Sequence, residues 1–185
     1  MADEVEIKFR VDDLNRVKQR LREAGFREQT PRTHEVNTLY DRNGELRGRG
    51  ELLRLRNYGG KWTLTHKSKA VNARHKTRAE LETKVCDGDQ MDQIIRALGY
   101  QPSFRYEKFR SEWTDGNGHV VLDETPIGDF GEIEGQPGWI DQVAKKLEIT
   151  DDKFITQSYS ELFFAWKHKT GSDAQEMTFA AVAPL

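Results

Sequence analysis

The stretch EVEIKFRV, Glu4 to Val11, decides the fold. Val5, Ile7, Phe9 and Val11 alternate with Glu4, Glu6, Lys8 and Arg10, which is the period of a β-strand with one apolar face. The other face holds only full charges, two acids and then two bases. An ordinary solvated strand face mixes Thr, Ser, Gln and Lys. This face needs a different explanation, because Glu4 and Glu6 repel each other and solubility does not call for rows of like charge.

The pattern recurs along the chain. Arg54 and Arg56 share a face, as do Lys61, Thr63, Thr65 and Lys67. Arg78, Glu80, Glu82 and Lys84 share another, and so do Tyr106, Lys108, Arg110 and Glu112. Asp123 faces with Val121, and Glu132 pairs with Glu134. The opposite faces are apolar: Val5, Ile7 and Phe9; Leu53 and Leu55; Trp62 and Leu64; Leu81 and Val85; Phe109 and Trp113; Ile133.

Between the strands lie amphipathic helices. DDLNRVKQRLREAGF has a capping aspartate at Asp12 or Asp13, apolar Leu14, Val17 and Leu21, and a stop at Gly25. DQMDQIIRALGY repeats the design and ends at Gly99, while GWIDQVAKKLEI and SYSELFFAWKHK read as two more helices. ELLRLRNYGGKWTLTHK is a hairpin about Gly59-Gly60, and RYEKFRSEWTDGNGHVVLDE is another about Gly116 to Gly118. THEVNTLYDRNGE is a strand entering an Asn43-Gly44 turn. SKAVNARHKT is basic and aperiodic, which predicts a mobile loop.

EVEIKF with its helix resembles ELETKV with its helix, and an Asn-Gly step follows each. This reads as two β–α–β–β halves closing on each other within one domain, residues 1–169. Residues 170–185 lack caps and periodicity and are expected to form a loose tail.

The chain of 185 residues suits one sizeable core. A net charge of −2 gives no basic field for nucleic acid. No apolar run approaches membrane-spanning length, and the N-terminus has no secretory h-region, so a cytoplasmic location is expected. Cys86 is the single cysteine, which excludes an internal disulfide and a Cys-rich zinc site. The five histidines show no zinc spacing, and Trp62 and Trp113 fall in the apolar phase of their strands.

The helices need the apolar strand faces as partners, so the charged faces point away from them. In an open sheet those charges meet water; in a closed one they line a lumen. A charged lumen is costly unless something of both signs fills it. Acids bind hard divalent cations, and Arg and Lys bind polyanions. A polyphosphate with Mg²⁺ or Mn²⁺ satisfies both walls.

The ordered set Glu4-Val5-Glu6-Ile7-Lys8, Arg54-Leu55-Arg56, Thr65-His66-Lys67, Arg78 to Glu82, Lys108-Phe109-Arg110, Leu122-Asp123, Gly128 to Glu134 and Ser158-Tyr159 resembles the CYTH family of triphosphate tunnel metalloenzymes. Within it, the chain is most similar to the class IV adenylyl cyclase branch. The resemblance covers roughly residues 3 to 167. It implies an α+β fold: an eight-stranded antiparallel β-tunnel with a charged lumen and helices packed outside. By resemblance, Glu4, Glu6, Glu80, Glu82, Asp123, Glu132 and Glu134 form the metal side. Lys8, Arg54, Arg56, Lys67, Arg78, Lys108 and Arg110 form the substrate side, with Lys67, Glu6 and Glu134 as catalytic candidates. Where the family carries an Asp in its second strand, this chain has Asn37.

The expected activity is metal-dependent hydrolysis of a triphosphate, whether inorganic triphosphate, ATP or thiamine triphosphate. The alternatives are cyclisation of ATP to cyclic AMP and pyrophosphate, and a non-catalytic sensor using the same tunnel. A binder needs the bases but not seven lumen acids, which favours the enzyme. No residue stands out as a reader of the organic group, so inorganic triphosphate is expected to be cleaved at least as well as ATP.

Overall fold

The computed structural model describes residues 2–72 and 74–182. The elements run β1 (Ala2–Val11), α1 (Leu14–Glu23), β2 (Arg27–Asp41), α2 (Glu45–Arg49), β3 (Leu52–Tyr58), β4 (Lys61–Lys67), β5 (Val71–Asn72), β6 (Lys76–Val85), α3 (Gly88–Ala97), β7 (Gln101–Thr114), β8 (His119–Thr125), β9 (Gly128–Glu134), α4 (Pro137–Lys146) and α5 (Tyr159–Thr170). Eight strands form an antiparallel ring in the order β1-β9-β8-β7-β2-β3-β4-β6, and the pairing of β6 with β1 closes it. The two-residue β5 adds to β6. The fold is therefore a closed barrel of the α+β class with its helices outside.

The internal repeat is built into the ring. Exchanging β1, β2, β3 and β4 with β6, β7, β8 and β9 maps every neighbour onto a neighbour. The helices obey the same exchange. Asp13 caps α1 by accepting from the backbone N–H groups of Asn15 and Arg16, and Asp87 caps α3 by accepting from that of Gln90. Each helix is followed by a left-handed glycine, Gly25 at φ 88° and Gly99 at φ 90°.

The outer apolar faces are covered as the alternation requires. Ile7, Phe9, Trp113, Val120, Leu122 and Ile133 pack with Leu21 of α1 and with Ile140, Val143 and Ala144 of α4. Leu55 and Tyr40 pack with Ile95 of α3, and Trp62 and Leu64 lie against them. Gly131 is required here: a Cβ at this position would lie 2.1 Å from the Phe9 ring. Leu81 departs from its expected place in the core and is exposed.

Three further expectations change. The Asn43-Gly44 step opens the short helix α2, whose first N–H groups at Leu46 and Arg47 are satisfied by the Asp41 carboxylate. The basic loop is held in place: Arg74 reaches Asp141 and Asp151, and His75 reaches Asp141 at 2.8 Å. Ala73 of that loop lies outside the described residues.

The segment after Thr170 is docked rather than loose. Met177 is fully buried, its N–H donates to the Arg105 carbonyl, and its carbonyl accepts from the Glu107 N–H. It fills the edge of β7 that β8 leaves free below Phe109. Phe179 then packs on Phe109, with ring centres 5.4 Å apart and the planes tilted by 37°. Residues 183–185 of the expected tail lie outside the described residues.

Ile155 plays the matching part on β1. It pairs with Lys8 where β6 has ended. Between these two anchors α5 lies against lumen-facing positions, packing Tyr159, Leu162 and Phe163 on Phe104, Tyr106 and Phe130. Among the described residues, no helix is long and apolar enough to cross a membrane.

Candidate active site

The barrel encloses a cavity of about 1030 Å³ lined by Glu4, Glu6, Lys8, Arg54, Arg56, Lys67, Arg78, Glu80, Glu82, Lys108, Arg110, Glu132 and Glu134. Thirteen of the fourteen residues that the family resemblance singles out thus meet in one lumen. The fourteenth, Asp123, sits beneath it, fully buried.

Register explains the meeting. Lys8 lies opposite Glu132 and Glu6 opposite Glu134 across β1 and β9. Lys67 lies opposite Glu80 across β4 and β6, and Arg110 opposite Asp123 across β7 and β8. Strands of equal parity at matched heights put like-facing charges in one space.

On one wall the acids crowd. Lys67 donates to Glu4 at 2.6 Å and pairs with Glu80 at 2.8 Å. Lys76 donates to Glu6 at 2.8 Å. Among the described residues, Glu134 has no lysine or arginine partner within ion-pair distance. Partial desolvation in the lumen, with the charges of Glu4, Glu6 and Glu132 close by, pushes its carboxyl up to about 7, although the residue is exposed. Burial also raises Glu4 above the usual carboxylate range, against the pull of Lys67.

On the other wall the bases are organised by acids. Lys8 and Arg110 occupy the two oxygens of Glu132, which is held well below its ordinary value despite burial. Arg56 and Arg54 lean on Glu82 at 3.3 and 3.7 Å. Asp123 accepts from Lys108 at 2.9 Å, twice from Arg110 at 2.6 and 2.7 Å, and from the Tyr159 hydroxyl. These partners are bases and a hydroxyl, so Asp123 lies among the cations of this wall. Arg78 points its guanidinium at the carbonyls of Ser68 and Gly50, 2.6 and 3.0 Å away.

Three lumen participants escaped strand alternation. Lys76 shares the parity of Arg78 and Glu80 and could have been read from it. Tyr159 lies under the ammonium groups of Lys8 and Lys108, each 4.7 Å from its ring centre. Glu35 is the third: fully buried, 3.5 Å from Lys108, and lowered to about 2 by Lys108, Arg110, Arg56 and Arg54 despite its burial. Asn37 donates to it at 2.9 Å. The charge missing at position 37 is thus present two residues earlier on the same face.

Tyr40 is buried and donates its hydroxyl to Asp92. Cys86 is an exposed free thiol at the end of β6.

The geometry agrees with the comparisons to known proteins. A Methanocaldococcus jannaschii protein named "Putative adenylate cyclase" is 29% identical over 170 residues, covering 86% of this chain and 97% of its own. A solved Pyrococcus horikoshii protein, PH1819, superposes with a TM-score of 0.74 at 25% identity, over 88% of this chain and 98% of that one. A Hippeastrum protein, called a "putative adenylyl cyclase" that "reveals a dominant" triphosphatase activity, shares the fold with a TM-score of 0.65 at 20% identity, over 88% and 95%. The CYTH domain model matches residues 2–161, and the chain belongs to the CYTH family.

Proposed function

We propose that this chain is a divalent-metal-dependent hydrolase of triphosphate compounds. The observation that carries the reading is the division of one lumen into two walls, crowded acids facing organised bases. A triphosphate brings negative charge to the bases, and its metal brings positive charge to the acids.

Glu4, Glu6 and Glu80 offer the hard oxygen donors that Mg²⁺ or Mn²⁺ prefers. Among the described residues, no three acids already converge as a finished metal cage. The ammonium groups of Lys67 and Lys76 sit on these oxygens instead, at 2.6 to 2.8 Å. A triphosphate would draw those lysines away and free the carboxylates for the ion. When bound, the ion offsets phosphate charge and acidifies water.

The chain's own residues do the rest. Arg54, Arg56, Lys108, Arg110 and Lys8 hold the phosphate oxygens in line and neutralise charge as it shifts to the leaving group. A water oxygen bonds to the terminal phosphorus, and the bond from that phosphorus to the bridging oxygen breaks. The bridging oxygen leaves with its electron pair on the diphosphate portion. Glu134, with a carboxyl near neutrality and no cation partner, takes the proton of the water. Lys67 follows the terminal phosphate.

The test is Glu6→Gln, which should slow phosphate release about a hundredfold or more and weaken Mg²⁺ binding measured by calorimetry. A folded variant with wild-type turnover would remove Glu6 from the site. The relative named as an adenylate cyclase favours a second reading, cyclisation. Cyclic AMP as the main product from ATP would select it, with the same walls holding the triphosphate.

A further inference from the structure

The lumen bases are not equally free. Lys8, Lys108 and Arg110 form one closed chain of ion pairs with Glu132, Asp123 and Glu35, three cations against three anions. Arg54 and Arg56 share a single acid, Glu82, at 3.7 and 3.3 Å. Among the described residues these two arginines have no other carboxylate within ion-pair distance, so their group carries an excess positive charge. A phosphate that approaches the first group competes with carboxylates already in place. At the second it meets a cation without a full counter-charge.

The difference arises at two neighbouring positions of β2. Register sets position 35 opposite Lys108 and position 37 opposite Arg56. The carboxylate stands at 35, 3.5 Å from Lys108, and position 37 holds the neutral amide of Asn37. Both side chains are fully buried and neither lines the cavity. Among the described residues, three buried side-chain polar atoms have no hydrogen-bond partner in the protein: Glu35 Oε2, Asn37 Oδ1 and Arg54 Nε. All three belong to this one region of β2 and β3. Buried polar groups are as a rule paired. An acid at 37 would face Arg56 and supply the counter-charge that the two arginines lack, and the chain does without it.

We infer that Glu35 and Asn37 together decide where the triphosphate seats: the charge at 35 occupies Lys108, and the missing charge at 37 keeps Arg54 and Arg56 as the primary phosphate anchor. The inference rests on the triphosphate reading of the tunnel. Glu35 and Asn37 are positioning residues, acting through the bases beside them.

The test moves the charge. Glu35→Gln combined with Asn37→Asp keeps the total charge and an amide–carboxylate pair, and shifts the carboxylate opposite Arg56. Binding of inorganic triphosphate with Mg²⁺ is read by calorimetry, and stability by urea unfolding. The exchange should raise Kd about tenfold, whereas Glu35→Gln alone, which releases Lys108, should lower it about threefold. A pair that only supports the fold would weaken binding in both variants, and that result overturns the inference, as does an exchange that leaves Kd unchanged. Should the exchanged chain fail to fold, two single substitutions decide: Arg54→Gln should weaken binding about tenfold more than Lys8→Gln, and equal losses overturn the anchor. A wild type that binds no triphosphate, with or without Mg²⁺, would overturn the tunnel reading together with the anchor. Triphosphate held through Arg54 and Arg56 without turnover would keep the anchor and remove the hydrolase.

Discussion

Replacing Glu134 with Gln should stabilise the empty protein, and only at higher pH. The carboxyl is pushed from an ordinary 4.5 to about 7 by partial desolvation and by Glu4, Glu6 and Glu132. Between those values the folded chain holds a proton that the unfolded chain has released. Stability therefore falls as pH rises through the window, and the deficit is complete above about 7. A shift of that size corresponds to about 3 kcal/mol at most. Glu134 faces lumen water, which screens its neighbours and brings the expected effect to about 1 kcal/mol.

Glu134→Gln removes the deficit. In chelator, with the tunnel free of divalent ions, its melting temperature should exceed wild type by about 2–4 °C at pH 8.5. At pH 5 the two should nearly coincide. Urea unfolding at both pH values gives the same comparison without heat. A variant less stable than wild type at pH 8.5 would mean that Glu134 is held by a cation. An equal gain at pH 5 and pH 8.5 would mean that charge is not the cause. Either result refutes the picture of an acid wall awaiting a cation.

Arg56→Ala removes a charge-assisted phosphate contact and should weaken triphosphate binding by about 2 kcal/mol, or roughly thirtyfold in Kd; a change in stability with unchanged binding would make Arg56 a mere partner of Glu82. Arg110→Ala leaves Asp123 and Glu132 short of a buried partner and should cost about 3 kcal/mol or more of folding stability, read from urea unfolding; a loss under about 1 kcal/mol would show that Lys108 and Tyr159 suffice. Met177→Ala should destabilise by about 2–5 kcal/mol, because the side chain is fully buried under α5; wild-type stability would show that the docked segment contributes little.

The barrel was legible because the strand signal is local. Alternation from Glu4 to Val11 assigns each side chain to a face, and the repeated pattern implies that those faces share a space. What alternation does not carry is contact between distant segments. Lys76 reads as part of a loop because the preceding residues are aperiodic, although its parity matches that of Arg78. Glu35 sits in a strand whose inner face also holds Asn37 and Leu39, so no row of charge drew attention to it. Met177 follows a polar stretch, and its burial depends on β8 leaving an edge of β7 open.

Phe164 follows a residue of the same type, and the helical pattern alone does not separate the buried Phe163 from the one that faces the lumen. Strand alternation puts Asp123 on a lumen strand without saying which charges surround it. The contacts of Lys108, Arg110 and Tyr159 with it depend on segments far apart in the chain.

The central claim is that the two-walled lumen cleaves triphosphates with the help of a divalent ion. Its most direct test is product analysis after incubation with inorganic triphosphate and with ATP, each with Mg²⁺, with Mn²⁺ and with excess chelator. The account predicts orthophosphate from both compounds, ADP from ATP, and no release in chelator. Full turnover in chelator, or no turnover of any triphosphate with either metal, would contradict it.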